Sequence, residues 1–331
     1  MDMDAIEVRN LTKTFRVKIK PPGLKNSFKA LFKPQYHWIE AVKNLNFTVK
    51  SGETLAFIGP NGSGKSTTIK MLTGILFPTS GEARVLGFNP WKERKKLSFH
   101  IGSVFGQKSQ LWYHLPAMET FYLFSKIYEL DSHTFRQRLD YLIDLLEIKS
   151  FVHTPVRKLS LGQRMRAELV ACLLHKPSII FLDEPTIGLD VVAKQILREH
   201  IRTINRTEGT TIFITSHDAG DIETLCERVI ILNLGKIIYD RDVNGLKKMY
   251  LHRRVIEATL NTPGKDPFTC KGCTLLEKTD YKLKVTVDTH WNSTRDVINQ
   301  LLNQYDIEDI TITEPPLEEI IRQIYKEQEE E

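Results

Sequence analysis

Short apolar runs alternate with longer amphipathic stretches over the first 240 residues of the chain. These runs predict strands at 55–58, 101–104, 179–182, 211–214 and 229–232. In the third and fifth runs every residue is apolar, which is typical of strands that helices cover on both faces. Helical spacing follows at 65–72 and 191–205. The alternation therefore predicts an α/β domain with a largely parallel sheet.

Two segments depart from this pattern. Residues 18–38 are basic and aromatic, are interrupted by prolines, and are interpreted as an insertion. From about residue 241 the strands and helices become shorter, with strands predicted at 283–287 and 309–312 and helices at 294–302 and 317–324. We therefore predict an α/β domain over 1–240 and a small α+β domain over 241–331.

The insertion contains a short amphipathic pattern at 24–32. Leu24, Phe28, Leu31 and Phe32 recur at helical spacing, and lysines lie between them. A basic amphipathic helix of this kind suits a membrane surface or a groove on a partner protein. A helix that packs on its own domain with its lysines in water fits the pattern equally well.

Composition and charge exclude several classes of protein. Hydrophobic residues make up 41% of the 331 residues and charged residues 26%, which is ordinary for a globular protein. A net charge of +5 gives no reason to expect nucleic acid as a partner. The apolar runs are far shorter than the ~20 residues that a membrane-spanning helix needs, and the first residues resemble no signal peptide. We expect any membrane association to be peripheral.

A glycine-rich loop follows the strand predicted at 55–58 and precedes a helix. Its sequence, GPNGSGKS at 59–66, satisfies the pattern G-x-x-x-x-G-K-[ST]. Such a loop turns its backbone N–H groups towards phosphate oxygens, and the helix N-terminus adds partial positive charge. The lysine reaches the β- and γ-phosphates, and the hydroxyl that follows it binds Mg²⁺. The predicted nucleotide contacts are Gly59, Pro60, Asn61, Gly62, Ser63, Gly64, Lys65, Ser66 and Thr67.

Two acidic residues end the apolar strand at 179–182. Asp183 would lie at the carboxyl end of this strand, where a ligand of Mg²⁺ is needed beside the phosphate loop. Glu184 follows it as a candidate general base for the attacking water. ATP and Mg²⁺ are therefore the expected substrate and cofactor.

Three more motifs follow the phosphate loop, LSLGQ at 159–163, LDEPTIGLD at 182–190 and TSH at 215–217. In this order and spacing the motifs resemble the nucleotide-binding subunits of ABC transporters, over roughly residues 4–240. The resemblance implies a RecA-like P-loop core, a helical subdomain near 108–175 and an antiparallel β part at the N-terminus. One glycine of the usual signature loop is replaced here by Leu161.

The resemblance also implies roles for single residues. Gln107 would contact Mg²⁺ and the attacking water, and His217 would hydrogen-bond the γ-phosphate. The signature residues Ser160, Gly162 and Gln163 would meet ATP held by a second copy of the chain, and Asp190 would communicate across that dimer. Because one chain carries one phosphate loop and one signature loop, the expected assembly is a head-to-tail homodimer on integral-membrane subunits.

Two sites stay open at the level of sequence. Family members stack an aromatic ring on adenine shortly after the first strand, which favours Phe15, but Tyr36 and Trp38 compete because the insertion lies between Phe15 and the phosphate loop. Cys270 and Cys273 have the spacing of metal ligands, yet two ligands alone are a weak indication of zinc.

The combined prediction is an ATP-hydrolysing subunit at the cytoplasmic face of a membrane transporter. The run TIGLD and the ending TEPPLEEIIRQIY resemble ATPases of ABC-2-type exporters. The alternatives are an importer subunit, a soluble ABC ATPase and a non-catalytic nucleotide-binding regulator. Retention of Glu184 and His217 disfavours the last of these.

Overall fold

The structure, a computed structural model, describes residues 4–18, 36–105, 108–249, 252–264 and 267–329. The chain divides into two units, Met1–Arg241 and Asp242–Glu331. No helix among the described residues combines the length and the apolar character needed to cross a membrane. The helix predicted at 24–32 lies outside the described residues.

The apolar runs form strands in the first unit. In chain order these are β1 Asp4–Lys18, β2 Tyr36–Lys50, β3 Thr54–Ile58, β4 Ser80–Val85, β5 Ile101–Phe105, β6 Ile179–Asp183, β7 Thr211–Thr215, β8 Arg228–Asn233 and β9 Lys236–Asp242. The helices between them are α1 Lys65–Leu72, α2 Arg94–Ser98, α3 Ala117–Ile127, α4 Ser132–Leu145, α5 Leu161–Leu173, α6 Val191–Glu208 and α7 Ala219–Leu225.

A largely parallel sheet forms the centre of this unit, with the strand order β5-β6-β7-β3-β8-β9 in the described part of the chain. β5, β6, β7, β3 and β8 pair in parallel, as the apolar runs predict. Every residue of β3 and β7 is buried, because helices and a second sheet cover the two faces. The predicted α/β fold is confirmed, and the carboxyl ends of these strands share one edge.

The second sheet is antiparallel and has the order β2-β1-β4 in the described residues. It packs on the parallel sheet through aromatic side chains, with the ring of Phe47 5.6 Å from that of Phe57 and the ring of Phe57 5.0 Å from that of Phe213. β1 extends to Lys18 and β2 begins at Tyr36. Both ends of the segment predicted as an insertion are therefore strand, because they pair with each other as Lys18 and Tyr36.

The helices α3, α4 and α5 lie between β5 and β6 in sequence and form the helical part of the unit. The guanidinium of Arg138 on α4 joins them to the core. It donates to Glu208 at the end of α6 at 2.7 and 2.8 Å and to the carbonyl oxygen of Leu173 at the end of α5. One partly buried side chain thus joins the middle of α4 to the ends of α5 and α6.

The second unit has an α+β fold. Its strands are β10 Arg253–Leu260, β11 Cys273–Lys278, β12 Lys282–Asp288 and β13 Ile307–Thr313, and its helices are α8 Val243–Met249, α9 Thr294–Gln304 and α10 Leu317–Glu329. The strands form an antiparallel sheet ordered β11-β12-β10-β13 within the described residues. Ile256, Val285 and Val287 on the sheet pack with Leu301 of α9. The predicted α+β class is confirmed.

Candidate nucleotide-binding site

The glycine-rich loop joins the end of β3 to the start of α1 and needs its glycines for steric reasons. A Cβ on Gly59 would lie 2.6 Å from the carbonyl oxygen of Leu232, and one on Gly64 would collide with the carbonyl oxygen of Ala41. Gly64 also has φ +107°, in the left-handed region that side chains disfavour. The loop is therefore wedged between β2 and β8, with Pro60, Asn61 and Gly62 exposed at its tip.

Lys65 begins α1 and is 5% exposed. Its ammonium group donates hydrogen bonds to the carbonyl oxygens of Gly59 at 2.6 Å and Pro60 at 3.2 Å, so it closes the loop on itself. Burial lowers the pKa of Lys65, while the carboxylates of Glu184 and Asp183 act in the opposite direction. A buried cation thus lies inside the loop, within the field of the two acids.

Asp183 ends β6 next to α1 and β7. Its Oδ1 accepts a hydrogen bond from the hydroxyl of Ser66 at 3.4 Å and another from the hydroxyl of Thr215 at 2.6 Å. The first contact brings together two residues that are 117 positions apart in sequence. Thr215 belongs to the TSH motif identified in the sequence, but no role was assigned to it there, although a polar residue at the carboxyl end of an otherwise apolar strand was the available signal.

Glu184 follows with a positive φ of 54°, which non-glycine residues seldom adopt. Its N–H donates to the carbonyl oxygen and the hydroxyl of Thr215, at 3.0 and 3.1 Å. His217 Nε2 lies 3.0 Å from Glu184 Oε1. The structure thus brings together the predicted acids and the predicted histidine at one edge of the sheet.

The predicted signature loop lies at the start of α5. Ser160 caps this helix, since its hydroxyl accepts from the N–H of Gln163 while the side chain of Gln163 accepts from the N–H of Ser160. A Cβ on Gly162 would lie 3.0 Å from that of Ala193. Asp190 caps the neighbouring helix α6 through the N–H of Ala193 at 2.8 Å. The two helix starts therefore form one exposed surface.

Leu161 stands where the usual signature loop has a glycine, and the structure shows how its side chain is accommodated. The side chain of Leu161 approaches Gly188, which has φ +73° and leaves room for it. Leu161 is partly buried, so it packs against the loop that leads to Asp190. The leucine therefore fills a gap between the two loops.

Gln107 lies outside the described residues, but the residues that follow it are described. The side chain of Glu168, on α5, accepts hydrogen bonds from the hydroxyl of Ser109 and the N–H of Gln110. Burial raises the pKa of Glu168, and the hydrogen bonds from Ser109 and Gln110 oppose this shift. Sequence analysis missed Glu168, because nothing in its local sequence distinguishes it from a solvated acid.

A second buried acid organises the loops after β6 and β7. Asp221 on α7 is fully buried and accepts hydrogen bonds from Thr186, Ser216 and, at 2.7 Å, Arg198. Thr186 lies two residues after Glu184, and Ser216 precedes His217. Asp221 therefore fixes the backbone on both sides of the pair of Glu184 and His217. No pattern in the sequence indicated this contact.

The candidate aromatic residues lie on opposite faces of the ribbon formed by β1 and β2. Phe15 pairs with Ile39, whereas Trp38 pairs with Arg16 and Tyr36 with Lys18. The guanidinium of Arg16 stacks on the ring of Tyr36 at 3.4 Å. Phe15 shares its face with Lys13, whose ammonium lies 5.2 Å from the centre of the Phe15 ring.

The second unit contains a cluster of three residues of metal-binding type among its described residues, with ligand atoms within 4.8 Å of one another. His252, Asp288 and His290 lie close together, but the imidazole rings of the two histidines are stacked nearly parallel at 4.5 Å. A histidine binds a metal in the plane of its ring, so parallel rings do not point at one ion. Cys270 accepts a hydrogen bond from the side chain of Asn292 at 3.1 Å.

Comparisons with known proteins agree with this geometry. The sequence model of the family described as ABC transporter matches residues 42–187. The bacitracin transport ATP-binding protein BcrA of Bacillus licheniformis is 33% identical over 226 residues, which cover 68% of this chain and 72% of that protein. The probable multidrug ABC transporter ATP-binding protein YbhF of Escherichia coli (strain K12) is 35% identical over 62% of this chain and 35% of its own length.

A solved structure gives the same result for the fold. The dimeric ATP-binding cassette MJ0796, in a post-hydrolysis state with ADP and Pi, matches with a TM-score of 0.60 at 26% identity, covering 72% of this chain and 98% of that chain. Its cassette corresponds in extent to the first unit of this chain. The chain therefore belongs to the family of ATP-binding subunits of ABC transporters, the enzymes that hydrolyse ATP to drive transport across a membrane.

Proposed function

We propose that the chain powers an exporter of the ABC-2 type from the cytoplasmic face of the membrane, as a peripheral subunit on integral-membrane partners. BcrA, whose name assigns it to bacitracin transport, and YbhF, which is named as a probable multidrug transporter subunit, support this direction. An importer subunit is the alternative, and the comparisons with BcrA and YbhF give it no support. A role without catalysis is disfavoured by the complete set of acids at the site.

The phosphate loop would bind ATP through its backbone N–H groups and Lys65. The ammonium of Lys65 now bonds to the carbonyl oxygens of Gly59 and Pro60, and phosphate oxygens would replace these acceptors. Phe15 is the proposed adenine platform. It lies on the face of the β1–β2 ribbon opposite Trp38 and Tyr36, and the ring of Tyr36 is already stacked against the guanidinium of Arg16.

The residues at the loop also fit Mg²⁺. The Ser66 hydroxyl and the Asp183 carboxylate are 3.4 Å apart, and oxygen ligands of this kind are those that Mg²⁺ prefers. Gln107 is the third proposed ligand. When bound, the ion would neutralise charge that develops on the phosphate oxygens.

Glu184 is the proposed general base, and His217 is the proposed partner of the γ-phosphate. The Glu184 carboxylate is only partly exposed, and it is held by a strained backbone that Thr215 and Asp221 support through the neighbouring loops. A carboxylate in a fixed position can orient a water molecule and accept its proton as that water attacks. His217 lies beside it with its ring more exposed, so it can turn to a bound phosphate.

We further propose that two copies of the chain close head to tail around two molecules of ATP. Ser160 and Asp190 are exposed and make mainly capping bonds within their own helices, so their outer faces are available to a second copy. The dimeric state of MJ0796 supports this arrangement. Binding of ATP would close the dimer, and hydrolysis would reopen it and move the membrane subunits.

The observation that carries the proposal is the convergence of Lys65, Ser66, Asp183, Glu184 and His217 at one edge of the parallel sheet. Its test uses everted membrane vesicles from cells that produce the chain with the membrane subunits that co-purify with it. ATP added outside should drive fluorescent bacitracin into the lumen, and Glu184→Gln should stop this uptake. ATP-dependent movement only out of the lumen would indicate import and contradict the proposed direction.

A further inference from the structure

Glu168 is a buried acid that the proposed chemistry does not use. It lies on α5, is 3% exposed, and bonds to the segment between β5 and α3. Burial of a carboxylate is costly unless hydrogen-bond donors surround it. The Glu168 carboxylate therefore needs hydrogen-bond donors, and the positions of these donors indicate its role.

Its partners are donors of a single segment. The Ser109 hydroxyl makes a short hydrogen bond to Oε1, and the N–H of Gln110 donates to both carboxylate oxygens at 3.2 Å. Ser109 and Gln110 come directly after Gln107 and Lys108 in the chain. We call Glu168, Ser109 and Gln110 the Glu168 clamp.

The same segment is also tied to the strand that precedes it. The side chain of Gln110 donates to the carbonyl oxygen of Ser103 at 2.6 Å. The N–H of Lys108 donates to the carbonyl oxygen of Phe105 at 2.8 Å. These contacts fix the described residues on both sides of position 107 to β5. The hydrogen bonds from Ser109 and Gln110 to Glu168 link this segment to α5 as well.

The helix α5 connects this clamp to the signature loop. Ser160 caps its start, and Glu168 lies two turns further along, about 12 Å away at 1.5 Å per residue. A helix of this length moves as one body, so a displacement of Ser160 carries Glu168 with it. The clamp passes such a displacement to Ser109 and Gln110.

We propose that Glu168 is a positioning residue for ATP hydrolysis. It makes Ser109 and Gln110, which follow Gln107, move together with the signature helix α5. This inference rests on the proposed roles of Gln107 and Ser160. Glu168 touches neither ATP nor water in this account. It acts by holding Ser109 and Gln110 at a fixed distance from the signature helix when the signature loop meets the nucleotide of the second copy.

The test compares a variant that removes the acceptor with one that keeps it. Glu168→Leu is nearly isosteric and apolar, so it suits a buried site but leaves Gln110 N–H without its acceptor. Glu168→Gln retains an amide oxygen that can accept from Gln110, while the Ser109 hydroxyl can turn to accept from its NH₂ group. Met165→Leu, at another buried position of α5, is the matched control.

The expected result is a loss of turnover without a loss of binding. Glu168→Leu should lower kcat about tenfold, since a small misplacement of a positioned group is costly in rate, and should leave ATP affinity within about twofold. Glu168→Gln and Met165→Leu should keep at least about half of the wild-type kcat. Adding Ser109→Ala to Glu168→Leu should change little further, because the two residues act through one contact.

Two kinetic results would contradict the proposed role of Glu168. A kcat of Glu168→Leu within about twofold of wild type, or an equal loss in Met165→Leu, would overturn the clamp. If Glu168→Leu does not fold, Ser109→Ala replaces it, and an unchanged kcat in that variant overturns the clamp. Wild-type turnover that Glu184→Gln abolishes shows that the proposed site stands independently, whereas absence of wild-type turnover would overturn both proposals.

Discussion

Glu184 has a left-handed backbone conformation that costs of order 1–3 kcal/mol for a residue with a side chain. The two hydrogen bonds from its N–H to Thr215 offset part of this cost. The conformation turns the chain sharply after β6 and brings the carboxylate within 3.0 Å of His217. A strained residue at the end of a buried strand is thus the geometric basis of the proposed general base.

Replacement of Glu184 by Gln should separate binding from hydrolysis. The amide has the same shape but cannot accept a proton, so kcat should fall by about 10²–10⁴-fold. ATP binding should stay within a few-fold of wild type. Phosphate release and a direct ATP titration measure the two quantities, with the exposed Glu82→Gln as control. Turnover near the wild-type level would remove Glu184 from this role.

Replacement of Lys65 by Ala should weaken binding itself. The change deletes a buried cation and leaves the carbonyl oxygens of Gly59 and Pro60 without their donor. A hydrogen bond to a charged group contributes about 1.5–3 kcal/mol, so the Kd for ATP should rise roughly 10- to 150-fold. Calorimetric titration at constant Mg²⁺ provides the measurement, and an unchanged Kd would contradict the assignment of the phosphate loop.

Some site residues could be predicted from sequence and others could not. Lys65 and Ser66 lie in one short motif whose spacing follows from the chemistry of a phosphate loop. Glu168 and Asp221 bond to groups 59 and 35 residues away, on loops that only the fold brings near. A buried acid with distant partners leaves no local pattern, so sequence reasoning treats it as solvated.

At the scale of elements, Arg138 is the clearest determinant of helix packing. It joins the middle of α4 to the ends of α5 and α6, and its bidentate partner Glu208 is 7% exposed. Removing one member of such a pair leaves an uncompensated buried charge, which costs about 3–5 kcal/mol. The helical part of the first unit therefore depends on this ion pair.

Arg138→Met should lower the thermal midpoint of unfolding by roughly 10 °C, from that cost and the usual temperature equivalent for a unit of this size. The double variant Arg138→Met with Glu208→Met should recover much of the loss, because it removes both charges. Differential scanning calorimetry measures both midpoints. Equal midpoints for wild type and Arg138→Met would show that the pair contributes nothing.

The strands of the parallel sheet could be predicted because each is a short, continuous apolar run. The outer halves of the long strands β1 and β2 could not, because they are largely exposed and mix polar with apolar side chains. Their pairing also contains register shifts, one of them between Lys13 and Thr14. Polar and apolar residues do not alternate regularly in the outer parts of β1 and β2. Residue 18 and residues 36–38 were therefore interpreted as part of an insertion.

Two copies of the chain are needed for one reaction in the proposed mechanism. The phosphate loop and the signature loop of one chain would serve different nucleotides. Ser160→Arg should therefore abolish hydrolysis while each monomer still binds ATP, because the added bulk would lie where the second copy must dock. Analytical ultracentrifugation should show no ATP-dependent dimer of this variant. If Ser160→Arg monomers fail to bind ATP, the role across the dimer is wrong.

The most direct measurement mixes the Ser160→Arg and Lys65→Ala variants. A mixed dimer contains one complete site, made from the phosphate loop of the first variant and the signature loop of the second, and one site with both defects. Phosphate release should be close to background for each variant alone and should appear when the two are mixed, rising with the product of their concentrations. No activity at any mixing ratio, with both proteins folded, would contradict the composite site and with it the proposed mechanism.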